Sequence, residues 1–449
     1  MKRFKHLFGA LSVVILTSFT TVDAAVPTPV SGAAASVEEG NATAVPNASK
    51  GASAPDGWLD SLDIGLLTCG PGQEVYSYYG HTALRINDRA HGQDIVVNYG
   101  IFSFRQNHFI LRFVFGLTDY SMGIVSTSDF IAEYASEGRW VVEQRLHLSP
   151  TEKLRIVNAI NENYLPENRT YRYNYFYDNC TTRARDMVLN HLDSGILLGV
   201  ADTHASAGTR HMEEPPAGAI YPSWRQLIHA HNGNHRWARF GNDLLLGLKA
   251  DSPTTYGEQE FLPDNLRKDF DAVRRTMPGY AVVGLVDTTV WLIPAQQIAV
   301  ESGPETFADR ITPLDAFLAL AAIVALLTVW ERKKKLNFWW LDLQLMLVSG
   351  LAGIVLLAMV FSQHPTVRLN LQILLLNPLN TIYLYPVIKQ LRKGHIHRYW
   401  YVWTGMVVAG ILGYMLQEYA EGIIVLAFIL LGRGIVQCTH RQQIELTDR

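Results

Sequence analysis

The sequence predicts two parts of different class: an exported α+β domain built on a small antiparallel sheet, followed by an all-α membrane domain of five helices. Three observations carry that prediction. The chain opens MKRFKHLFGALSVVILTSFTTVDAA, in which Lys2, Arg3 and Lys5 precede an apolar stretch from about Leu7 to Phe19 and a small-residue site at Val22-Asp23-Ala24. This is the layout of a secretory signal, and its apolar core is short for a membrane span. Between residues 62 and 149, β-prone runs alternate with Gly, Pro, Asn and Asp turn signals. Apolar stretches then stand at 314–330, 341–361, 369–388, 399–416 and 422–438, each near the ~20 residues that cross a bilayer core.

The connections orient those spans. Arg332, Lys333, Lys334 and Lys335 separate the first two, and Lys389, Arg392, Lys393 and Arg398 separate the third from the fourth. The alternate loops carry Arg368 on one side and Glu418 with Glu421 on the other. By the positive-inside rule the basic loops are cytoplasmic and the segment before the first span lies outside, in agreement with the signal. The expected organisation is a signal peptide over 1–24, a flexible linker over 25–56, an exported domain over 57–310, five spans within 311–440 and a cytoplasmic tail over 441–449. The linker follows from a run of Ala, Ser, Thr, Pro and Gly with almost no large apolar side chain. A net charge of −3, with neither a basic stripe nor a zinc spacing, points away from a nucleic-acid partner and a metal. No cofactor motif stands out.

Within the exported domain, LDIGLLTC (62–69) reads as a strand ended by Gly70-Pro71-Gly72. HTALRIND is the next, with Thr82, Leu84 and Ile86 on one face and His81 at its start. NDRAHGQD turns the chain into DIVVNYGIFSF (94–104), LRFVFGLTDYSMGIVS adds aromatic and β-branched material, and WVVEQRLHLS (140–149) alternates as a further strand. Ser149 and Pro150 then mark a helix start as cap and first residue, and the helix runs to about Tyr164. An aromatic approach, YRYNYFYDN, leads into a second helix whose first residues surround Cys180.

That cysteine sets the functional question. Of three cysteines, Cys438 falls at the cytoplasmic end of the last span, which leaves Cys69 and Cys180 in the exported domain. An oxidising compartment favours a disulfide between them. A helix N-terminus and a nearby imidazole would instead lower a thiol's pKa and make it a nucleophile. His81, opening a strand after a glycine, is placed to serve as base, and Asn98 on the next strand could hold the imidazole. Asn179 or Thr181 could cap the helix, with the amides there contributing to an oxyanion hole. Each signal has a plain structural alternative: a His at a strand start, an Asn beside Tyr-Gly, a packed cysteine.

The order His, polar residue, then Asn-Cys at a helix start resembles the circularly permuted papain-like fold of the lecithin:retinol acyltransferase group. TCGPGQEVYSYYGHTALRI, VVNYGIF, YNYFYDNCTTRARD and FSQHPTVRLNLQILLLNPLN further resemble the Lnb family of bacterial lipoprotein N-acyltransferases, over roughly residues 60 to 440. That resemblance implies a multi-pass protein of the bacterial inner membrane with a periplasmic catalytic domain. Cys180 would take an acyl chain from a phospholipid, with His81 accepting the thiol proton and Asn98 as third member. The resulting thioester would pass the chain to the α-amino group of a lipoprotein's diacylglyceryl-cysteine. Asn179, Thr181, Asp178, Cys69 and Tyr99 are supporting candidates, with Glu74 a further one. Cys69 is read as a buried or supporting thiol, and Arg183, Arg185 and Asp186 as helix-surface pairs.

In the membrane part, Asn370 and Asn377 are expected to share a face of the third span, with Asn380 nearby and His364 and Arg368 at its outer mouth. They either bind a headgroup or acyl chain or hold the bundle by hydrogen bonds, and Pro378 breaks the helix. Residues 222–248, with Trp224 and Trp237, suit a membrane interface or a packed helical hairpin. Two other functions remain open: a cysteine hydrolase of peptidoglycan peptides or lipid amides, with the same His81 and Cys180, and a non-catalytic lipid-binding sensor in which the site residues are structural.

Overall fold

A computed structural model describes residues 57–102, 107–193, 197–198, 221–232, 235–276, 282–295 and 310–447. The expected signal and linker, residues 1–56, lie outside the described residues. The rest forms two compact units: one runs to Thr312 and takes in Phe361–Leu369, the other holds Pro313–Val360 and the chain from Asn370 onward.

The first unit is α+β. Its strands β1 (Leu62–Cys69), β2 (His81–Asp88) and β3 (Gln93–Ile101) coincide closely with the alternating runs. β1 and β2 pair antiparallel with Leu66 opposite Leu84 and Cys69 opposite His81. Asp88 closes the next turn, accepting from Trp58 Nε1 at 2.8 Å and from the Ala90 amide at 3.0 Å. The chain departs from expectation at 109–126. FILRFV forms a short helix, α1 (Phe109–Val114), and only Asp119–Ser126 is strand, β4. Helix α2 (Thr127–Ser136), capped by Ser126, was not foreseen. β5 (Val141–Leu146), helix α3 (Pro150–Tyr164), strand β6 (Thr170–Arg172) and helix α4 (Cys180–Leu189) follow. α3 starts as its sequence predicts: Ser149 Oγ accepts the Glu152 amide and Glu152 returns a bond to the Ser149 amide, with Pro150 first in the helix.

Later residues complete this unit. Helices α5 (Trp224–Asn232), α6 (Arg236–Leu245) and α7 (Pro263–Ala272) follow, and three short strands, β7 (Leu197–Leu198), β8 (Arg274–Arg275) and β9 (Val283–Gly284), make a small sheet of their own. A last strand, β10 (Val286–Ile293), joins the main sheet, whose order is β10-β5-β1-β2-β3-β4-β6. One face of that sheet buries Leu62, Ile64, Leu66, Leu84, Ile86 and Val97 against α3, α4 and α7 through Ile156, Val157, Ala184, Val188 and Phe270. The other face packs Leu67, Ala83 and Val96 on Phe130 and Tyr134 of α2. Within residues 222–248, α5 and α6 pack into this unit: Trp224 is fully buried against Phe176 and Phe261, and buried Arg225 donates to Asp243 of α6 and to Asp251.

The second unit is all-α, with α8 (Pro313–Lys333), α9 (Trp339–Val360), α10 (Leu379–Arg392), α11 (Tyr399–Gly413) and α12 (Ile423–Thr447). α8, α9 and the stretch Pro365–Arg392 are long and apolar enough to cross a membrane, while Tyr399–Gly413 and Ile423–Thr439 are shorter apolar helices. The third stretch is broken. Asn370 caps a 3-10 turn over Leu371–Leu374, and the α-helix resumes only after Pro378, which removes an amide donor and cannot continue a helix from its N-terminal side. Asn370 and Asn377 therefore do not share a helix face. A charged network that the sequence did not announce ties α8, α9 and α12: Arg433 donates to Asp342 at 2.7 Å and to Glu331 at 2.6 Å, and Gln437 donates to Asp342 at 2.9 Å.

Candidate functional site

Backbone conformation brings the site together. Gly80, just before His81, has φ +80, and a Cβ there would lie 2.5 Å from the Cys69 carbonyl oxygen. Only glycine fits so close a turn, and it sets the imidazole at the open end of β2. One strand away, His81 Nε2 donates to Asn98 Oδ1 at 2.6 Å. That bond fixes the proton on Nε2, so Nδ1 is the nitrogen left for the thiol, and His81 and Cys180 are hydrogen-bonded. After Asn98 the β3–β4 register slips, and Gly100 at φ +90 leaves room for Cys180, whose Cβ would stand 3.7 Å from a Cβ at that position.

Cys180 is the first residue of α4, and Asn179 is the cap. Asn179 Oδ1 accepts the amides of Thr181 and Thr182, both at 2.9 Å, and its Nδ2 donates to the carbonyls of Tyr175 and Phe261 at 2.9 Å. The Thr181 amide is thus consumed by the cap and is not an oxyanion donor. The Cys180 amide has no hydrogen-bond partner among the described residues. The Thr181 hydroxyl sits 3.8 Å from Sγ and 3.2 Å from the Thr82 hydroxyl.

Electrostatics follow from that geometry. Burial pushes the Cys180 thiol up, but the His81 charge and hydrogen bond, the Thr82 amide and the Thr181 hydroxyl outweigh it and lower the pKa to about 7. Burial likewise disfavours charge on His81, yet the facing thiolate and the Asn98 bond raise its pKa overall. The pair therefore stabilises thiolate and imidazolium together, the state that makes a thiol nucleophilic near neutral pH.

The remaining candidates fall in different places. Cys69 and Cys180 are both free thiols, so no disulfide joins them. Cys69 is buried across the strand pair from His81, and burial raises its pKa, a setting for an inert thiol. Asp178 binds Arg183 through two bonds, at 2.7 and 2.8 Å, rather than Cys180. Tyr99 lies in the core with its hydroxyl on Asn163 at 3.1 Å, and Glu74 is exposed. Arg185 pairs with Asp186 at 2.8 Å, as expected, and also with Glu260 at 3.1 Å.

The expected membrane-side candidates do not form one cluster. Segment Phe361–Leu369 folds with the first unit: Gln363 donates its amide to the Phe115 carbonyl, Arg368 Nε donates to the Ser362 carbonyl at 2.7 Å, and His364 lies close to Gly116. Asn370 accepts from Gln417 at 3.0 Å, Asn377 accepts the Leu379 amide at 2.9 Å, and Asn380 bridges Ser349 and Tyr399. The Asn370 and Asn380 bonds join separate segments of the bundle, whereas the Asn377 bond is local, two residues along the same segment. Tyr171 escaped the sequence reading. Its buried hydroxyl has no hydrogen-bond partner among the described residues and would lie 4.0 Å from a Cβ at Gly100, while Arg183 stacks on its ring at 3.6 Å. The aromatic run before Cys180 was its only signal.

Among the described residues no cluster of His, Cys, Asp and Glu is arranged to hold a metal. No curated protein and no solved structure matches the chain. Two family models do: the Lnb N-terminal periplasmic domain over residues 57–207 and the Lnb transmembrane domain over residues 305–444. Between them they take in well over half of the chain, in the order in which the two units occur. This chain belongs to the Lnb family, as a membrane protein with a periplasmic domain followed by a transmembrane domain.

Proposed function

We propose that the protein is a lipoprotein N-acyltransferase of the bacterial inner membrane, with its C-terminus in the cytoplasm and Cys180 as the acyl carrier. The observation that carries this reading is the Asn98–His81–Cys180 set, with Nε2 bound to Asn98 and a thiol lowered to about 7, in a chain whose second part is a transmembrane domain. The Cys180 thiolate attacks an ester carbonyl of a phospholipid. The tetrahedral oxyanion collapses with cleavage of the ester C–O bond, the His81 imidazolium protonates the leaving lysophospholipid oxygen, and a thioester remains. The neutral α-amine of a diacylglyceryl-cysteine then attacks the thioester. His81 takes the amine proton, the thiolate leaves, and an amide is formed. The Cys180 amide and the Tyr171 hydroxyl are the donors open to the oxyanion, a term worth roughly 10²–10³ in rate per donor.

Amines attack thioesters readily, so two moderate barriers replace one large one. Membrane residence of donor and acceptor raises their effective concentration at the site. The test is mass spectrometry of lipoprotein N-termini after deletion of the gene, together with trapping on Cys180. The expected result is loss of the amide-linked chain in the deletion, and in the wild type a lipid on Cys180 that hydroxylamine releases and Cys180→Ala abolishes. Unchanged N-acylation in the deletion sinks the transferase reading. A trapped lipid lost to water and not to an amine moves the protein to the hydrolases.

A further inference from the structure

The six residues of α1, FILRFV, include none that is buried. Ile110 is 70% exposed, Leu111 58% and Phe113 48%, an outlay of bare apolar surface that water alone does not explain. The one charge on the helix, Arg112, is matched by Asp119 at 2.6 Å. From this helix a line of rings runs inward. Phe109 is 6.4 Å from Phe102, Phe102 stacks on Tyr120 at 4.8 Å, and Tyr120 stacks on Tyr173 at 4.0 Å. Tyr120, Tyr173 and Cys180 all pack at the margin of the same core. The far end of α1 is held by the Gln363 amide on the Phe115 carbonyl at 2.9 Å, and Gln363 follows closely on Val360, the last residue of an apolar helix long enough to cross a membrane.

We propose that α1 is a lipid-entry surface: its apolar side chains insert among the acyl chains of the bilayer, and the line of rings leads one phospholipid acyl chain from there to Cys180. A face whose one charge is paired, backed by rings that pack on the same core as Cys180, suits an acyl chain. A protein partner would need the outer face but not the rings behind it. The inference rests on the acyltransferase reading for what happens at Cys180, though not for the surface itself.

The test uses the full-length chain as Cys180→Ala, so that trapping of lipid does not depend on thioester chemistry. The protein is placed in nanodiscs of phosphatidylethanolamine and phosphatidylglycerol doped with a phosphatidylcholine that carries a diazirine at the end of one acyl chain. After irradiation, adducts are mapped by mass spectrometry. The expected adducts fall on residues 109–114 and on Phe102 or Tyr120, besides those on the membrane helices. Replacing Ile110 and Phe113 by Glu lowers the Tyr120 adducts by about tenfold. Adducts confined to the membrane helices overturn the proposal and leave the face to a protein partner. Labelled rings without hydroxylamine-released lipid on the wild-type protein keep the entry surface and refute the transferase reading instead.

Discussion

Cys180 and Cys69 lie in the same unit, yet the pKa of one is lowered and that of the other raised, because their neighbours differ. Cys180 meets an imidazole and a backbone amide at a helix start, and Cys69 meets Tyr134 inside an apolar cluster. Since the Cys180 pKa is lowered from 9.0 to about 7, its thiolate fraction grows as pH rises through about 7. Alkylation of Cys180 by iodoacetamide is expected to show that midpoint, with Cys69 unlabelled in the folded protein. His81→Ala removes the charge and hydrogen bond that hold the pKa down, so the midpoint moves upward by at least one pH unit, a differential stabilisation of about 1.4 kcal/mol or more. An unmoved midpoint in His81→Ala would show that His81 does not set the thiol. His81, Asn98 and Cys180 were readable in the chain because strand alternation and helix-start chemistry are local. Tyr171 was not, because the slip of register at Gly100 that brings it close depends on pairing between distant strands.

At the scale of elements, the cap of α4 does more than start a helix. Asn179 accepts two amides and donates to two carbonyls, Tyr175 and Phe261, while itself 4% exposed. Asn179→Ala therefore costs about 1 kcal/mol for the cap and a further 1–3 kcal/mol for carbonyls left without a donor. Asn179→Ser keeps a capping acceptor without a charge and is expected to lose only the second part. Denaturant unfolding of the purified protein measures both; equal losses for the two variants would overturn this division. β1, β2, α3 and the start of α4 were legible to within a residue or so, since each carries its own turn or cap signal. α1 overlaps the start of LRFVFGLTDYSMGIVS, whose aromatic and β-branched composition gave no sign of a helix. The broken third stretch of the membrane unit was legible from Pro378, but not the loss of a common face for Asn370 and Asn377, because the turns before the break are 3-10 and irregular.

At the scale of the whole molecule, the two-part organisation was legible from hydropathy and loop charge, which report solvent and need no tertiary information. The exported domain was expected over 57–310, and the first unit runs to Thr312. The match to the periplasmic family model stops at residue 207, yet β10 closes the main sheet against β5, and Arg275 reaches back to Glu152 at 2.5 Å with both side chains buried. A fragment of residues 57–207 lacks these partners: the main sheet loses β10, and Glu152 keeps the Ser149 and Asp193 amides but loses the Arg275 charge, and breaking such a buried pair costs several kcal/mol. The fragment is expected to be cleaved rapidly by a nonspecific protease, and its Cys180 to alkylate like an ordinary thiol. A protease-resistant fragment with a midpoint near 7 would show that the later residues are dispensable to the site. In the membrane unit, the Arg433–Asp342–Glu331 network was missed because its members are scattered over 102 positions and sit beside apolar neighbours that dominate any window average.

The bond from Asn179 to the Phe261 carbonyl spans 82 positions of the chain, and this gives the site a history during biosynthesis. A chain threaded outward from its N-terminus delivers Cys69 first, then Cys180, and only much later the carbonyl that seats the cap. Cys69 is enclosed by Phe130, Tyr134 and Val141, all earlier in the chain than Cys180, so in that interval the thiol still without its final surroundings is Cys180. The cap that seats the helix of Cys180 is thus completed only by a residue delivered 82 positions later.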